Sequence, residues 1–136
     1  MKGWIIPALG TFVFWGLYAF LPKLYTEHLS PRSGTVYQGL GSLLVAILVL
    51  FSLNSRPDVH PQGIVLAVIT GVLGSLGALC FHVSVSRGPV SLVAAFTALS
   101  PVLTILLAKV ILNDPISPRQ GLGIVLAIGA MLLVAT

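Results

Sequence analysis

Five nearly uninterrupted apolar runs, each about 20 residues long, decide what this chain can fold into. They cover 3–21, 33–53, 62–86, 89–112 and 118–136. A helix rises about 1.5 Å per residue, so each run is long enough to cross a hydrocarbon core of about 30 Å. A membrane barrel strand would be about 10 residues long and would alternate polar with apolar positions, and that alternation is absent. Backbone groups in lipid need internal hydrogen-bond partners, and a helix supplies them. The expected fold is an all-α integral membrane protein with five transmembrane helices. Composition agrees, because charged residues make up only 7% of the chain and apolar ones 57%. A soluble domain carries roughly 25% charged residues.

Turn chemistry separates the runs. The first ends at Pro22-Lys23, and the second follows Ser30-Pro31-Arg32. A polar stretch with Asn54, Arg56, Pro57, Asp58, His60 and Pro61 precedes the third. Ser86-Arg87-Gly88-Pro89 and the segment from Asn113 to Pro118 make the remaining turns. These connections leave no room for a soluble domain, so function is expected inside the membrane. The first run is longer than a signal-peptide core, and no small-x-small cleavage site follows it, so it reads as an uncleaved span with Trp4 as an interface anchor.

The formal charge of +4 comes from Lys and Arg residues scattered singly between runs. Nucleic-acid binding needs a clustered basic patch, so no nucleic-acid partner is expected. With five spans, Lys2, Arg56, Arg119 and Lys109 fall on one side and Lys23, Arg32 and Arg87 on the other. The positive-inside rule needs an asymmetry to set orientation, and here it nearly vanishes. One reading is dual topology, with copies inserted both ways and paired antiparallel. The other is a single orientation set by subtler features or by a partner. Cys80 is the only cysteine and reads as a small core residue. No metal-ligand spacing, phosphate loop or nucleophile motif occurs, so neither a metal, a cofactor nor an enzyme is expected. No acidic residue lies within a run; Glu27, Asp58 and Asp114 all sit in connections, which disfavours carboxylate-centred proton antiport.

Polar residues within the runs are the candidate substrate contacts. Thr97, Ser100, Pro101 and Thr104 share one face of the fourth helix at i, i+3, i+4 and i+7. Pro101 should kink that helix near mid-span. The third helix carries Gly71, Ser75, Ala78, His82 and Ser86 on one face. Its small residues suit close helix packing, whereas an intramembrane His is a functional candidate that otherwise only reaches the interface. Thr11, Trp15 and Tyr18 form a face of the first helix, and Gln38 and Ser42 one of the second. Lys109 either snorkels or meets an anionic substrate group. Gly123, Ala127 and Ala130 form a small-residue stripe on the fifth helix that suits a helix–helix or dimer contact.

Two stretches, Ser86-Arg87-Gly88-Pro89-Val90-Ser91-Leu92-Val93 and Leu99-Ser100-Pro101-Val102-Leu103-Thr104, resemble the EamA domain of the drug/metabolite transporter superfamily. So do Asn113-Asp114-Pro115-Ile116-Ser117 with Gln120-Gly121-x-Gly123, and the opening Phe14-Trp15-Gly16-Leu17-Tyr18. The resemblance covers essentially the whole chain. It implies one five-helix EamA-type repeat, a single domain over 1–136, where members typically carry two inverted units around a central cavity. Where the family usually places an acidic residue after Gly, this chain has Asn113-Asp114.

The expected function is therefore a half-size transporter in the cell (inner) membrane. It would move a small organic solute by alternating access as a homodimer, with an antiparallel arrangement one option. The expected substrate-binding residues are Trp15, Tyr18, Gln38, Ser42, His82, Thr97, Ser100, Pro101 and Thr104. The alternatives are a non-transporting subunit of a hetero-oligomer and a flippase for a lipid-linked sugar.

Overall fold

The computed structural model describes residues 3, 5–53, 56–113, 115 and 117–135, and their side chains apart from those of 131, 134 and 135. Lys2, Trp4, Asn54, Asp114 and Ile116 lie outside the described residues. Every regular element among the described residues is helical: α1 Ile5–Tyr25, α2 Pro31–Ser52, α3 Pro61–Arg87, α4 Val90–Thr97, α5 Ser100–Leu112 and α6 Pro118–Ala135. α1, α2, α3 and the stretch 90–112 are each long and apolar enough to cross a membrane, and α6 adds a fifth apolar helix. The chain is an all-helical, multi-pass membrane protein.

Proline placement sets most helix starts. It lacks an N–H, which costs nothing at the first helical position, and its φ is already helical. Pro31, Pro61 and Pro118 each open a helix. In α2, Ser30 Oγ accepts from the Ser33 N–H at 3.2 Å. Before α6, Gln120 Oε1 accepts from the Ser117 N–H at 2.8 Å while Ser117 Oγ accepts from the Gln120 N–H at 3.3 Å, a reciprocal capping box.

Pro101 follows the same rule, which changes the expected fourth helix. It does not kink a continuous 89–112 helix; the helix stops at Thr97 and restarts at Ser100. Pro101 has no N–H for the Thr97 carbonyl. The chain tightens instead, with Leu99 N–H donating to Phe96 O at 3.2 Å and Val102 N–H to Leu99 O at 2.9 Å, both i to i−3 bonds. Downstream, Asn113 ends α5 in the left-handed region at φ 53°. Asn tolerates that region better than other residues with a Cβ, so it can fill a turn position that otherwise calls for Gly.

The first helix also departs from expectation, continuing through Pro22 to Tyr25 instead of ending at Leu21. A proline inside a helix leaves the carbonyl four residues back, that of Tyr18, without its helical donor. Membrane helices tolerate this where neighbours and side chains take up the freed groups. Pro22 is buried, and its own carbonyl accepts from Thr26 Oγ1 at 2.7 Å.

The helices group into two compact units, one ending at Arg87 and the other starting at Gly88. In the first unit α3 packs against both α1 and α2. Its buried positions are Ala78, Phe81, His82 and Val85, a single stripe at i, i+3, i+4 and i+7. Of the face expected on this helix, Ala78 and His82 are buried, whereas Gly71, Ser75 and Ser86 are exposed. Among the described residues nothing lies within 4 Å of a Cβ placed on Gly71, Gly74 or Gly77. In the second unit α4 packs against α6. The Gly123, Ala127 and Ala130 stripe is exposed, while Gly121, Ile124 and Ile128 are half-buried.

Gly34 of α2 is buried where α1 and α2 approach, and a Cβ there would lie 2.5 Å from Tyr25 Cε2. Gly34→Ala is expected to lower stability by about 1–3 kcal/mol through overpacking. Gly39→Ala, with nothing within 4 Å of the added carbon, is expected to be neutral or slightly stabilising. Thermal unfolding of both variants in detergent measures the difference, and equal midpoints would remove the packing role given to Gly34.

Candidate functional site: a tyrosine-lined recess and its histidine clasp

The α1–α2 hairpin encloses a recess of about 260 Å³. From α1 it is lined by Tyr18, Leu21, Pro22 and Tyr25, and from α2 by Gly34, Tyr37 and Gln38, with Leu29 from the turn. The α1 positions are spaced i, i+3, i+4 and i+7, and the α2 positions i, i+3 and i+4, so each helix contributes one face. The chain has three tyrosines, and all of them line this recess. Gln38 lies seven residues into α2, about 10 Å along its axis. The recess therefore sits toward the turn end of the hairpin.

Gln38 Oε1 is buried and has no hydrogen-bond partner among the described residues. In an apolar environment a buried carbonyl left unpaired costs about 1–3 kcal/mol. Such a group marks where a ligand, a water or another chain would be held.

Behind the recess a clasp joins three helices. His82 of α3 is fully buried. Its Nε2 lies 2.8 Å from the Tyr25 hydroxyl of α1, and its Nδ1 lies 3.0 Å from Thr35 Oγ1 of α2. Thr35 donates its only hydroxyl proton to the Pro31 carbonyl at 2.9 Å, so Nδ1–H is the donor to Thr35 Oγ1. In a neutral ring Nε2 is then the acceptor for Tyr25 O–H. That arrangement is the neutral tautomer with its proton on Nδ1. The Tyr25 and His82 rings meet edge to face, with centroids 5.5 Å apart at 82°. Lys23 Nζ donates to the Val85 carbonyl at 3.3 Å, taking up one of the carbonyls that the last turn of α3 leaves without a helical donor.

Of the expected substrate residues, the structure brings Tyr18 and Gln38 together in the recess. His82 lies one hydrogen bond away, as the clasp and not as part of the wall. Trp15 is 72% exposed and outside the lining, and Ser42 is exposed one turn beyond Gln38. Thr97, Ser100, Pro101 and Thr104 belong to the second unit and are exposed. Thr97 Oγ1 donates to Val93 O and Ala94 O, and Thr104 Oγ1 to Ser100 O, so both hydroxyls are bonded to their own helical segments. Lys109 is exposed in the last turn of α5, where its charge favours the helix C-terminus.

Sequence reasoning missed Tyr25, Thr35, Gly34 and Tyr37. With the first run ending at Pro22-Lys23, Tyr25 falls outside it, whereas Gly34, Thr35 and Tyr37 lie within the second run without standing out from it. The i, i+3, i+4, i+7 spacing of Tyr18, Leu21, Pro22 and Tyr25 was the available signal.

Residues 2–136 match the EamA-like transporter family. The chain belongs to that family. It is 31% identical over 134 residues to the uncharacterized transporter YyaM of Bacillus subtilis, an alignment covering 96% of this chain and 44% of the relative. The chain thus spans about half the length of that protein. It is 24% identical over 131 residues to the uncharacterized protein MJ1333.1 of Methanocaldococcus jannaschii, covering 96% of this chain and 95% of the relative. It is 34% identical over 85 residues to the chloroplastic phosphoenolpyruvate/phosphate translocator 2 of Arabidopsis thaliana, covering 62% of this chain and 22% of the relative. No solved structure matches the chain. Two of these relatives, YyaM and the Arabidopsis translocator, are named for transport.

The clasp generates a double-mutant cycle. Hydrogen bonds between membrane helices contribute about 0.6–2 kcal/mol each. His82→Leu and Tyr25→Phe are each expected to lower stability, because each strands a polar partner. The double variant strands fewer groups and is expected to lose less than the sum, by about 0.5–3 kcal/mol. Unfolding in mixed micelles measures the coupling; strictly additive losses would dismiss the bond.

Proposed function

We propose that this chain is one repeat of an inverted pair and carries a small organic solute across the cell (inner) membrane. Transport proceeds by alternating access, as one five-helix unit rocks against another. The observation that carries the reading is the recess itself: within a membrane hairpin, three tyrosines line it together with Gln38, whose buried amide oxygen has no partner among the described residues. A hairpin meant only for packing gains nothing from an unpaired buried acceptor.

A second unit is part of the proposal. YyaM is about twice as long as the region aligned, which supports a working assembly of two repeats. MJ1333.1 matches this chain over nearly its full length, which supports single-repeat chains that associate. We take the partner to be a second copy in the opposite orientation, because the basic residues favour neither side of the membrane.

Purified chain reconstituted alone in liposomes is expected to move a solute. Tyr18→Ala and Gln38→Leu are each expected to lower that flux about tenfold or more, the cost of losing about 1.4 kcal/mol of binding or transition-state stabilisation. No flux across amino acids, amines and lipophilic drugs would favour a non-transporting subunit that needs a different polypeptide.

Orientation has its own measurement. Single cysteines beside Arg56 and Arg32, with Cys80 replaced because it is a free and exposed thiol, are expected to label from both sides of the membrane. Labelling of each site from one side only would exclude antiparallel pairing of identical chains.

A further inference from the structure

We propose that the recess binds a compact organic ammonium ion carrying at least one N–H, and that Gln38 Oε1 accepts the hydrogen bond from it. The proposal rests on the transport reading above and names the class of substrate that the recess takes.

Three observations converge. First, Gln38 Oε1 is an acceptor, is buried, and has no donor among the described residues. A ligand that completes it must bring a donor, and a charged N–H makes roughly twice as strong a hydrogen bond as a neutral one. A carboxylate or phosphate oxygen would set acceptor against acceptor there.

Second, Tyr18, Tyr25 and Tyr37 are all the tyrosines of the chain, and all line this one recess. Aromatic faces carry negative electrostatic potential and attract ammonium groups, more strongly when the site is desolvated. The clasp holds Tyr25 in this wall, because its hydroxyl lies 2.8 Å from His82 Nε2.

Third, among the described residues the lining holds no Lys, Arg, Asp or Glu. Lys23, next to the lining residue Pro22, directs Nζ to the Val85 carbonyl on α3. An anionic substrate would therefore find no cation in the lining to pair with. The volume of about 260 Å³ is below the roughly 300–1,000 Å³ of pockets for drug-sized ligands, so the ion is compact.

The experiment uses the full chain in detergent, with calorimetric titration of three probes that share one aromatic body. They are 2-phenylethylammonium, its N,N,N-trimethyl analogue and 3-phenylpropionate. The expected result is saturable binding of both cations and none of the propionate. Gln38→Leu is expected to weaken 2-phenylethylammonium about tenfold and to leave the trimethyl analogue unchanged, because that ion has no N–H to lose. Gln38→Glu keeps an acceptor at the same place and is expected to bind 2-phenylethylammonium at least as tightly as the natural chain. Equal binding of propionate and ammonium, equal weakening of both cations by Gln38→Leu, or no saturable binding overturns the proposal.

Flux in liposomes separates this inference from the transport reading. Saturable ammonium binding without flux overturns transport and keeps the site. Flux of another solute that 2-phenylethylammonium does not inhibit keeps transport and overturns the site.

Discussion

One imidazole organises the first unit. In lipid there is little hydrophobic gain from bringing apolar helices together, so van der Waals packing and interhelical hydrogen bonds must hold them. α3 buries only four side chains, and His82 is the polar one among them. It reaches α1 through Tyr25 and α2 through Thr35 at the same time. Because its two ring nitrogens have opposite roles, one accepting and one donating, the clasp fixes the rotation of three helices together. A neutral histidine does this without burying a charge. The wall of the recess follows, since Tyr25 is both the partner of His82 and a lining residue, and Gly34 leaves the space into which its ring fits.

Prolines show how the same residue reads differently by position. At 31, 61, 101 and 118 the missing N–H falls in the first turn of a helix, where no partner is needed. At 22 it falls inside α1, and the Tyr18 carbonyl loses its helical donor. The apolar run is interrupted at both 22 and 101, yet only at 101 does the helix break. Pro22 is packed and buried and Thr26 binds its carbonyl, whereas Pro101 is exposed and the turn before it relaxes to i to i−3 bonding. A linear pattern of apolar and polar residues does not carry that distinction, because it depends on what packs against the proline.

The legible part of the site was chemical. Tyr18 and Gln38 stand out as polar or amphipathic groups within apolar runs, and both line the recess. His82 stands out for the same reason, but its two partners do not, since Tyr25 sits beyond a proline and Thr35 is one hydroxyl among many. Hydroxyls such as those of Thr97 and Thr104 can be satisfied by their own helix, so their polarity alone does not mark a cavity.

By itself the sequence determined that the chain crosses a membrane as helices, roughly where each helix lies, and to which family it is similar. Those properties depend on local quantities: the length of apolar runs, the backbone's need for internal hydrogen bonds, and the turn chemistry between them. Only the tertiary structure decided which faces meet, that α1 continues through Pro22, that the fourth span is two helices, and that three tyrosines and Gln38 share one recess. Those outcomes depend on contacts between residues up to 62 positions apart, as in the Lys23 to Val85 bond. Spacing along one helix says which residues share a face, but not what that face touches.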